Sequence, residues 1–100
     1  PARVGACLDA NHANLREKLP HAMRTLGSRM ITIHISDNDG IDEKHWMPGQ
    51  GIIDWPEFYR TLKSIQYPGA CVYEIGWPHE DKLKGLLEVK ANYISLFQSM

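Results

Sequence analysis

Three side chains that can ligate metal ions stand near the ends of three apolar, strand-like stretches of the sequence. Asp9 ends "RVGACLD", His34 lies near the end of "RMITIHIS", and Glu74 lies near the end of "ACVYEIG". Two carboxylates and one imidazole form a mixed oxygen and nitrogen set, which suits Mn, Mg, Co or Zn and does not suit copper(I) or iron–sulfur clusters. The residue types therefore predict a divalent-metal site, provided that the fold brings the three strand ends together.

The alternation of side chains predicts that the three candidate ligands share one face of a sheet. Successive residues of a strand point to opposite faces. The faces opposite the candidate ligands are apolar: Val4, Ala6 and Leu8, then Ile31, Ile33 and Ile35, then Cys71, Tyr73 and Ile75. Each residue alone could be an ordinary polar group at a strand end, but the agreement of three strands in face and position favours a joint site.

Two further histidines and a glutamate are candidates for the same pocket. His12 follows Asp9 by three residues, on what we expect to be the loop that leaves the first strand. His45 lies in the long loop after the second strand, close to Glu43. A carboxylate beside a histidine can orient the ring or complete a second metal site. We expect His12, His45 and Glu43 to bind substrate or a second metal, with solvated loop residues as the open alternative.

The elements that must position these residues alternate between strand and helix. The first helix is firm over residues 19–27, and the second begins after Asp54, with Pro56 in its first turn and Glu57 three residues after the cap. The third helix covers roughly residues 81–98. Its expected apolar side is Leu83, Leu86, Leu87, Ile94 and Phe97. This order predicts an α/β fold with parallel strands, whose carboxyl ends meet at the edge where α/β proteins place their sites.

Composition narrows the class of protein. The chain has 100 residues, of which 43% are hydrophobic, and its net charge is -1 from 11 basic and 12 acidic residues. This balance gives no electrostatic footprint for nucleic acid or an acidic membrane. No apolar run approaches the roughly 20 residues that span a bilayer. Cys7 and Cys71 lie in strand-like runs and are expected to be buried thiols, so we expect a cytoplasmic protein.

Four stretches, taken together, resemble the xylose-isomerase-like barrel superfamily, which contains sugar isomerases, sugar epimerases and endonuclease IV. The stretches are "CLDANHAN", "ITIHISDNDG", "HWMPGQGIIDW" and "VYEIG". Their order and separation match nearly the whole chain to the C-terminal portion of that barrel. The resemblance implies three βα units of a TIM (β/α)8 barrel, so that residues 1–100 are expected to be a C-terminal fragment of such a domain. It also implies a further glutamate ligand from an earlier strand.

The same resemblance implies a function for the parent protein, namely a sugar or sugar-phosphate isomerase or epimerase that transfers protons through an enediolate. Asp9, His34 and Glu74 would hold the divalent ion. Glu74 would also be a catalytic acid/base, and His12 would hold a substrate hydroxyl or assist proton movement. His45 resembles a histidine of the second-metal cluster in the endonuclease branch. Where the epimerases often carry an arginine after the metal-binding histidine, this chain has Asp-Asn-Asp-Gly at 37–40.

Two alternatives to the isomerase remain open. One is an endonuclease that cleaves DNA at abasic sites and resembles endonuclease IV, although the scattered Lys and Arg argue against a DNA backbone as partner. The other is a non-catalytic unit. Because three strands leave two open sheet edges, we expect this chain to pair with copies of itself and to be inactive alone.

Overall fold

Strands and helices alternate along the chain in the computed structural model, which describes residues 4–77 and 79–98. The elements are β1 (Ala6–Asp9), α1 (Ala10–Arg16), α2 (Leu19–Leu26), β2 (Met30–Ile35), α3 (Trp55–Ser64), β3 (Ala70–Tyr73) and α4 (Lys82–Tyr93). A short 3-10 helix, Gly27–Arg29, precedes β2, and a π-helical turn, Ile94–Gln98, continues α4. The predicted α/β class is confirmed.

The three strands form one parallel sheet in the order β1-β2-β3. Asp9 pairs with His34 across the first ladder, and His34 pairs with Val72 across the second. Glu74 follows β3 directly and falls on the same face as Val72, because side chains alternate along an extended chain. The register therefore brings the three predicted ligands to one edge of the sheet.

The hydrophobic core lies between the opposite face of the sheet and the helices. Ile33 and Ile35 are fully buried there, and the Trp55 and Phe58 rings pack edge to face at 5.1 Å. Ile31 was expected to extend this isoleucine wall but is 63% exposed. Burial therefore anchors β2 at Met30, Ile33 and Ile35 and not at Ile31.

The first helical region begins earlier than the sequence predicted. We expected a loop after β1, but Ala10–Arg16 is helical, so His12 lies in the first turn of α1. Asp9 explains the difference, because its side chain accepts a hydrogen bond from the backbone N–H of His12 and caps the helix. The later prediction at α3 is confirmed: Asp54 is its N-cap and accepts from Glu57 N.

The apolar side that was predicted for α4 is largely wrong. Four of its five residues are exposed in the described structure: Leu83, Leu86, Leu87 and Ile94. The helix instead turns Gly85 against the Trp77 ring and Asn92 toward the Tyr73 hydroxyl, and Phe97 beyond it reaches the core. The leucines lie on another side of the helix from these contacts.

The two cysteines differ from the buried thiols that were predicted. Both are free; Cys7 is exposed and Cys71 is partly buried, which raises the pKa of its thiol to about 11. Cys7 is exposed because it lies on the ligand-bearing face of β1, which no described helix covers. Among the described helices, none has the length and apolar character that a bilayer crossing requires.

Candidate metal centre

Asp9 is placed by both the strand that it ends and the helix that it caps. One carboxylate oxygen, Oδ1, accepts from His12 N at 2.9 Å. The other, Oδ2, lies 3.3 Å from His12 Nδ1. The cap fixes the rotamer of the side chain while leaving Oδ2 directed toward the pocket.

His34 is held next to Asp9 by the strand register and by its buried neighbours. Ile33 and Ile35 are anchored in the core, so the alternation of β2 directs the imidazole to the opposite face. The side chain of His34 is 37% exposed, which leaves the ring accessible.

Glu74 completes the group from the third strand. Its backbone N donates to Ile35 O at 2.9 Å, which continues the parallel pairing by one residue beyond β3. Its carboxylate Oε2 lies 2.7 Å from His34 Nδ1. The side chain is 45% exposed and so can reach both the imidazole and the open space beyond the strand ends.

Together the three residues offer one ligand atom each, and these atoms all lie within 4.8 Å of one another. This separation fits donors around one ion, because metal–oxygen and metal–nitrogen bonds of about 2.0–2.2 Å place ligand atoms roughly 3–4 Å apart. Two carboxylates and one imidazole match the preferences of the divalent ions predicted from the sequence. The residues present therefore fit a divalent cation, with coordination positions left for other groups.

A second cluster, His12, Glu43 and His45, adjoins the first. Glu43 Oε2 lies 2.7 Å from His12 Nε2, and Glu43 Oε1 contacts His45 Nε2. His45 Nδ1 is 2.9 Å from the carbonyl oxygen of Glu74 and 3.7 Å from Glu74 Oε1. The six sequence-predicted residues thus lie in two adjoining clusters, and in the second cluster the Glu43 carboxylate bridges the two histidine rings.

The bridging carboxylate changes the proton affinity of both rings. The hydrogen bond to Glu43, followed by the charge of Asp9, raises the pKa of His12. The pKa of His45 is raised first by its hydrogen bond to the Glu74 carbonyl and then by Glu43. In return, hydrogen bonds from His12 and His45 lower the pKa of Glu43.

A buried polar network, which was not predicted from the sequence, directly follows β2. Asn38 Nδ2 donates to the carbonyl and side-chain oxygens of Asn11, and Asn11 Nδ2 donates to Ser36 Oγ at 2.9 Å. Asp37 adds a buried carboxylate. Residues 36–38 are buried and tie α1 to the loop after β2. The signal in the sequence that could have indicated this network is a polar run directly after a buried strand.

Comparisons with known proteins identify a family that the chain matches and relatives that are sugar epimerases. Residues 1–93 match the family described as "Xylose isomerase-like TIM barrel". The D-psicose 3-epimerase of Enterocloster bolteae is 31% identical over 74 residues, which cover 73% of this chain and 23% of that protein. The fructoselysine 3-epimerase of Escherichia coli O157:H7 is 34% identical over 50 residues, which cover 50% of this chain and 18% of that protein.

A solved structure agrees with these matches. The crystal structure of a D-tagatose 3-epimerase-like protein superposes with a TM-score of 0.73 and 27% identity, covering 92% of this chain and 35% of that one. The chain therefore corresponds to about a third of that structure, and it spans about a quarter of the D-psicose 3-epimerase, by the shares of 35% and 23%.

Proposed function

Since this chain belongs to the xylose isomerase-like TIM barrel family, we propose that its protein is a divalent-metal-dependent isomerase or epimerase of a sugar or sugar phosphate. The observation that carries the proposal is the convergence of Asp9, His34 and Glu74 within 4.8 Å at one sheet edge. The sugar epimerases among the relatives support the substrate class. We further propose that residues 1–100 are the C-terminal part of a longer barrel and that the protein works in the reducing cytoplasm.

In the proposed reaction, a carboxylate removes the proton beside the sugar carbonyl and returns a proton elsewhere. A divalent ion held by Asp9, His34 and Glu74 would polarise the substrate's carbonyl and hydroxyl oxygens. Glu74 is our candidate for the proton-transferring carboxylate, because its side chain lies beside His34 and is 45% exposed, so that a substrate can reach it. His12 is within reach of the same pocket and would hold a substrate hydroxyl, while Glu43 orients its ring.

Solvent exchange tests this mechanism directly. The full-length parent protein, loaded with Mn²⁺ or Co²⁺, is incubated in D2O with a panel of ketohexoses that includes D-psicose and D-tagatose, and deuterium at carbon is followed by NMR. We expect incorporation by the wild type and a fall of about 100- to 10,000-fold in Glu74→Gln, which removes the base and a ligand. Glu80→Gln, at an exposed residue, is the matched control and should exchange normally. Unchanged exchange in Glu74→Gln would contradict the assigned role.

The second cluster gives a specific reason to keep the endonuclease as an alternative. Glu43 bridges His12 and His45 beside the first cluster, and these three residues are the types of ligand that a second metal ion would use. Enzymes that cleave phosphodiesters often use two metal ions. The net charge of -1 argues against a DNA partner. Incision of an abasic-site duplex in the presence of Zn²⁺, lost in His45→Ala, would replace the sugar proposal with the endonuclease.

We also propose that the isolated chain associates with itself through the edges of its sheet. β1 and β3 each have a neighbour on one side only in the described structure. Unpaired strand edges favour pairing with another copy.

A further inference from the structure

A buried carboxylate lies directly beyond β2, on a residue that the proposed metal centre does not use. Asp37 is 0% exposed. Its Oδ1 accepts from Asn38 N at 2.9 Å and from Ile53 N at 3.1 Å. Its Oδ2 accepts from Gly49 N at 2.9 Å and from the Trp55 indole Nε1 at 2.8 Å. Two oxygens thus receive four N–H groups from the two ends of the long loop.

This arrangement requires a carboxylate. All four described donors are neutral N–H groups, so the charge of Asp37 is balanced by hydrogen bonds alone, which are stronger when the acceptor is ionised. Burying such a charge is costly unless its hydrogen bonds are made. An asparagine in its place has one acceptor oxygen, and its NH2 group would face two N–H donors.

The chain is also adapted to the close approach of the loop to Asp37. A Cβ built on Gly51 would lie 2.5 Å from Asp37 Oδ1 and would overlap the carbonyl oxygen of Asn38. Only glycine allows the backbone to pass this close. Two separate residues, Asp37 and Gly51, therefore favour this path of the loop around the carboxylate.

Asp37 also forms backbone hydrogen bonds with Trp46, the residue that follows His45. Asp37 N donates to Trp46 O at 2.8 Å, and Trp46 N donates to Asp37 O at 3.1 Å. His45, the preceding residue, has a φ of 54°, a region that residues other than glycine rarely adopt. Such a conformation persists only where the surroundings hold it. On the other side, Gly76 N donates to His45 O at 3.1 Å.

We infer that Asp37 is a positioning residue, which holds the loop of residues 43–55 so that Glu43 and His45 face His12. None of its described contacts is to a predicted metal ligand, so it acts through the loop. The geometric part of this inference stands on the contacts of Asp37 itself. Its consequence for binding a metal at the second cluster rests on the second-metal role that the endonuclease alternative under the proposed function gives to that cluster.

Amide hydrogen exchange in the metal-free protein tests the geometric part. Asp37→Asn is compared with Asp39→Asn, a control in the same loop whose carboxylate accepts only from the nearby backbone N–H groups of Ile41 and Asp42 among its described partners. We expect the amides of Trp46, Gly49 and Ile53 to exchange at least about tenfold faster in Asp37→Asn only, with α2 little changed. Equally faster amide exchange in α2 would show that Asp37 stabilises the whole fold and not the loop in particular, and it would overturn the inference.

A Zn²⁺ titration tests the consequence for binding. We expect Asp37→Asn to lower the affinity for the second equivalent of Zn²⁺ by about 10- to 100-fold, as the loss of a supporting contact does. The affinity for the first equivalent should fall by no more than about threefold. Equal weakening of both equivalents would contradict a role specific to the loop. If the wild type binds one equivalent only, the second-metal proposal fails, and the exchange experiment still decides the role of Asp37.

Trp55→Phe keeps the test decisive if Asp37→Asn does not fold. This change removes one donor to Oδ2 and retains an aromatic ring in the core. Faster exchange at Gly49 and Trp46 with an unchanged first metal equivalent supports the inference. Full protection of both amides in this variant overturns it.

Discussion

Glu43 contacts two imidazoles, one on α1 and one in the loop after β2, so its carboxylate stabilises the protonated form of each ring. The two rings nevertheless differ in what raises their pKa. For His12 the largest cause is the hydrogen bond to Glu43, whereas for His45 it is the hydrogen bond to the Glu74 carbonyl. This difference makes the two histidines distinguishable in solution.

We predict that Glu43→Gln lowers the pKa of His12 toward its ordinary value of 6.5 and leaves the pKa of His45 partly raised. The neutral amide cannot stabilise imidazolium as a carboxylate does, while the Glu74 carbonyl is untouched. Both titrations are measured by NMR of the ring carbons in the metal-free protein. Equal shifts of both histidines would contradict these assignments.

The contact between Glu43 and His12 also predicts how the stability of the fold changes with pH. The raised pKa of His12 means that its contribution is fully present below pH 6.5 and is lost as the pH rises through the folded value. The lowered pKa of Glu43 means that its contribution is present above 4.5 and is lost as the pH falls through the folded value. The excess thermal stability of wild type over Glu43→Gln should therefore peak between these limits and shrink in high salt, because both groups are exposed.

At the residue scale, the sequence was enough to predict that Asp9, His34 and Glu74 lie together. Their proximity follows from a side-chain period of two and from the meeting of parallel strand ends. The roles of Asp37 and Asn38 could not be predicted, because a polar residue after a strand is as compatible with a solvated turn as with a buried network. Only the path of the loop back over the strand end decides between them.

At the scale of the element, two aspartates are the N-caps of helices, and one of them, Asp9, is also a candidate metal ligand. Asp9 caps α1, and Asp54 caps α3 through a 2.9 Å hydrogen bond to Glu57 N. Asp54 was predicted from the capping pattern. The cap at Asp9 was not predicted, because the firm helical pattern begins only at residue 19 and Pro20 suits the first turn of a helix that begins there.

We predict that Asp54→Ala lowers the free energy of unfolding by about 1 kcal/mol, since it removes the N-cap acceptor of α3. Asp54→Asn keeps a side-chain oxygen at the cap and should be within a few tenths of a kcal/mol of wild type. Urea unfolding of the three proteins measures both differences. A loss in Asp54→Asn as large as that in Asp54→Ala would show that the cap is not the source of the stability.

The wrong side predicted for α4 shows where helix patterns stop being informative. A leucine stripe identifies an apolar side but not the surface that it will meet. In this chain the contacts of α4 are made by Gly85, Asn92 and the turn that contains Phe97. The partner of a helix is a property of the whole assembly, which local spacing does not encode.

At the scale of the whole molecule, the sheet edges and the exposed α4 leucines are the surfaces that could contact further protein. Leu83, Leu86 and Leu87 are 66%, 57% and 55% exposed. Exposed apolar patches of this kind commonly mark contact surfaces.

We predict that the isolated 100-residue chain forms dimers or larger species in analytical ultracentrifugation at micromolar concentration. Val72→Lys, at an exposed position of the edge strand β3, should shift the distribution toward monomer without loss of helix signal. A monomer at all concentrations would contradict self-association.

Divalent-metal affinity, measured by titration calorimetry with Mn²⁺ or Co²⁺, shows whether Asp9, His34 and Glu74 form a metal centre. The wild type is compared with a His34→Ala, Glu74→Gln double variant and with the Glu80→Gln control, all checked for folding by circular dichroism. We predict that the double variant loses at least about 100-fold in affinity and that the control matches the wild type, because two of three ligands are removed. Equal affinity in the folded double variant would show that the edge formed by Asp9, His34 and Glu74 is not a metal centre.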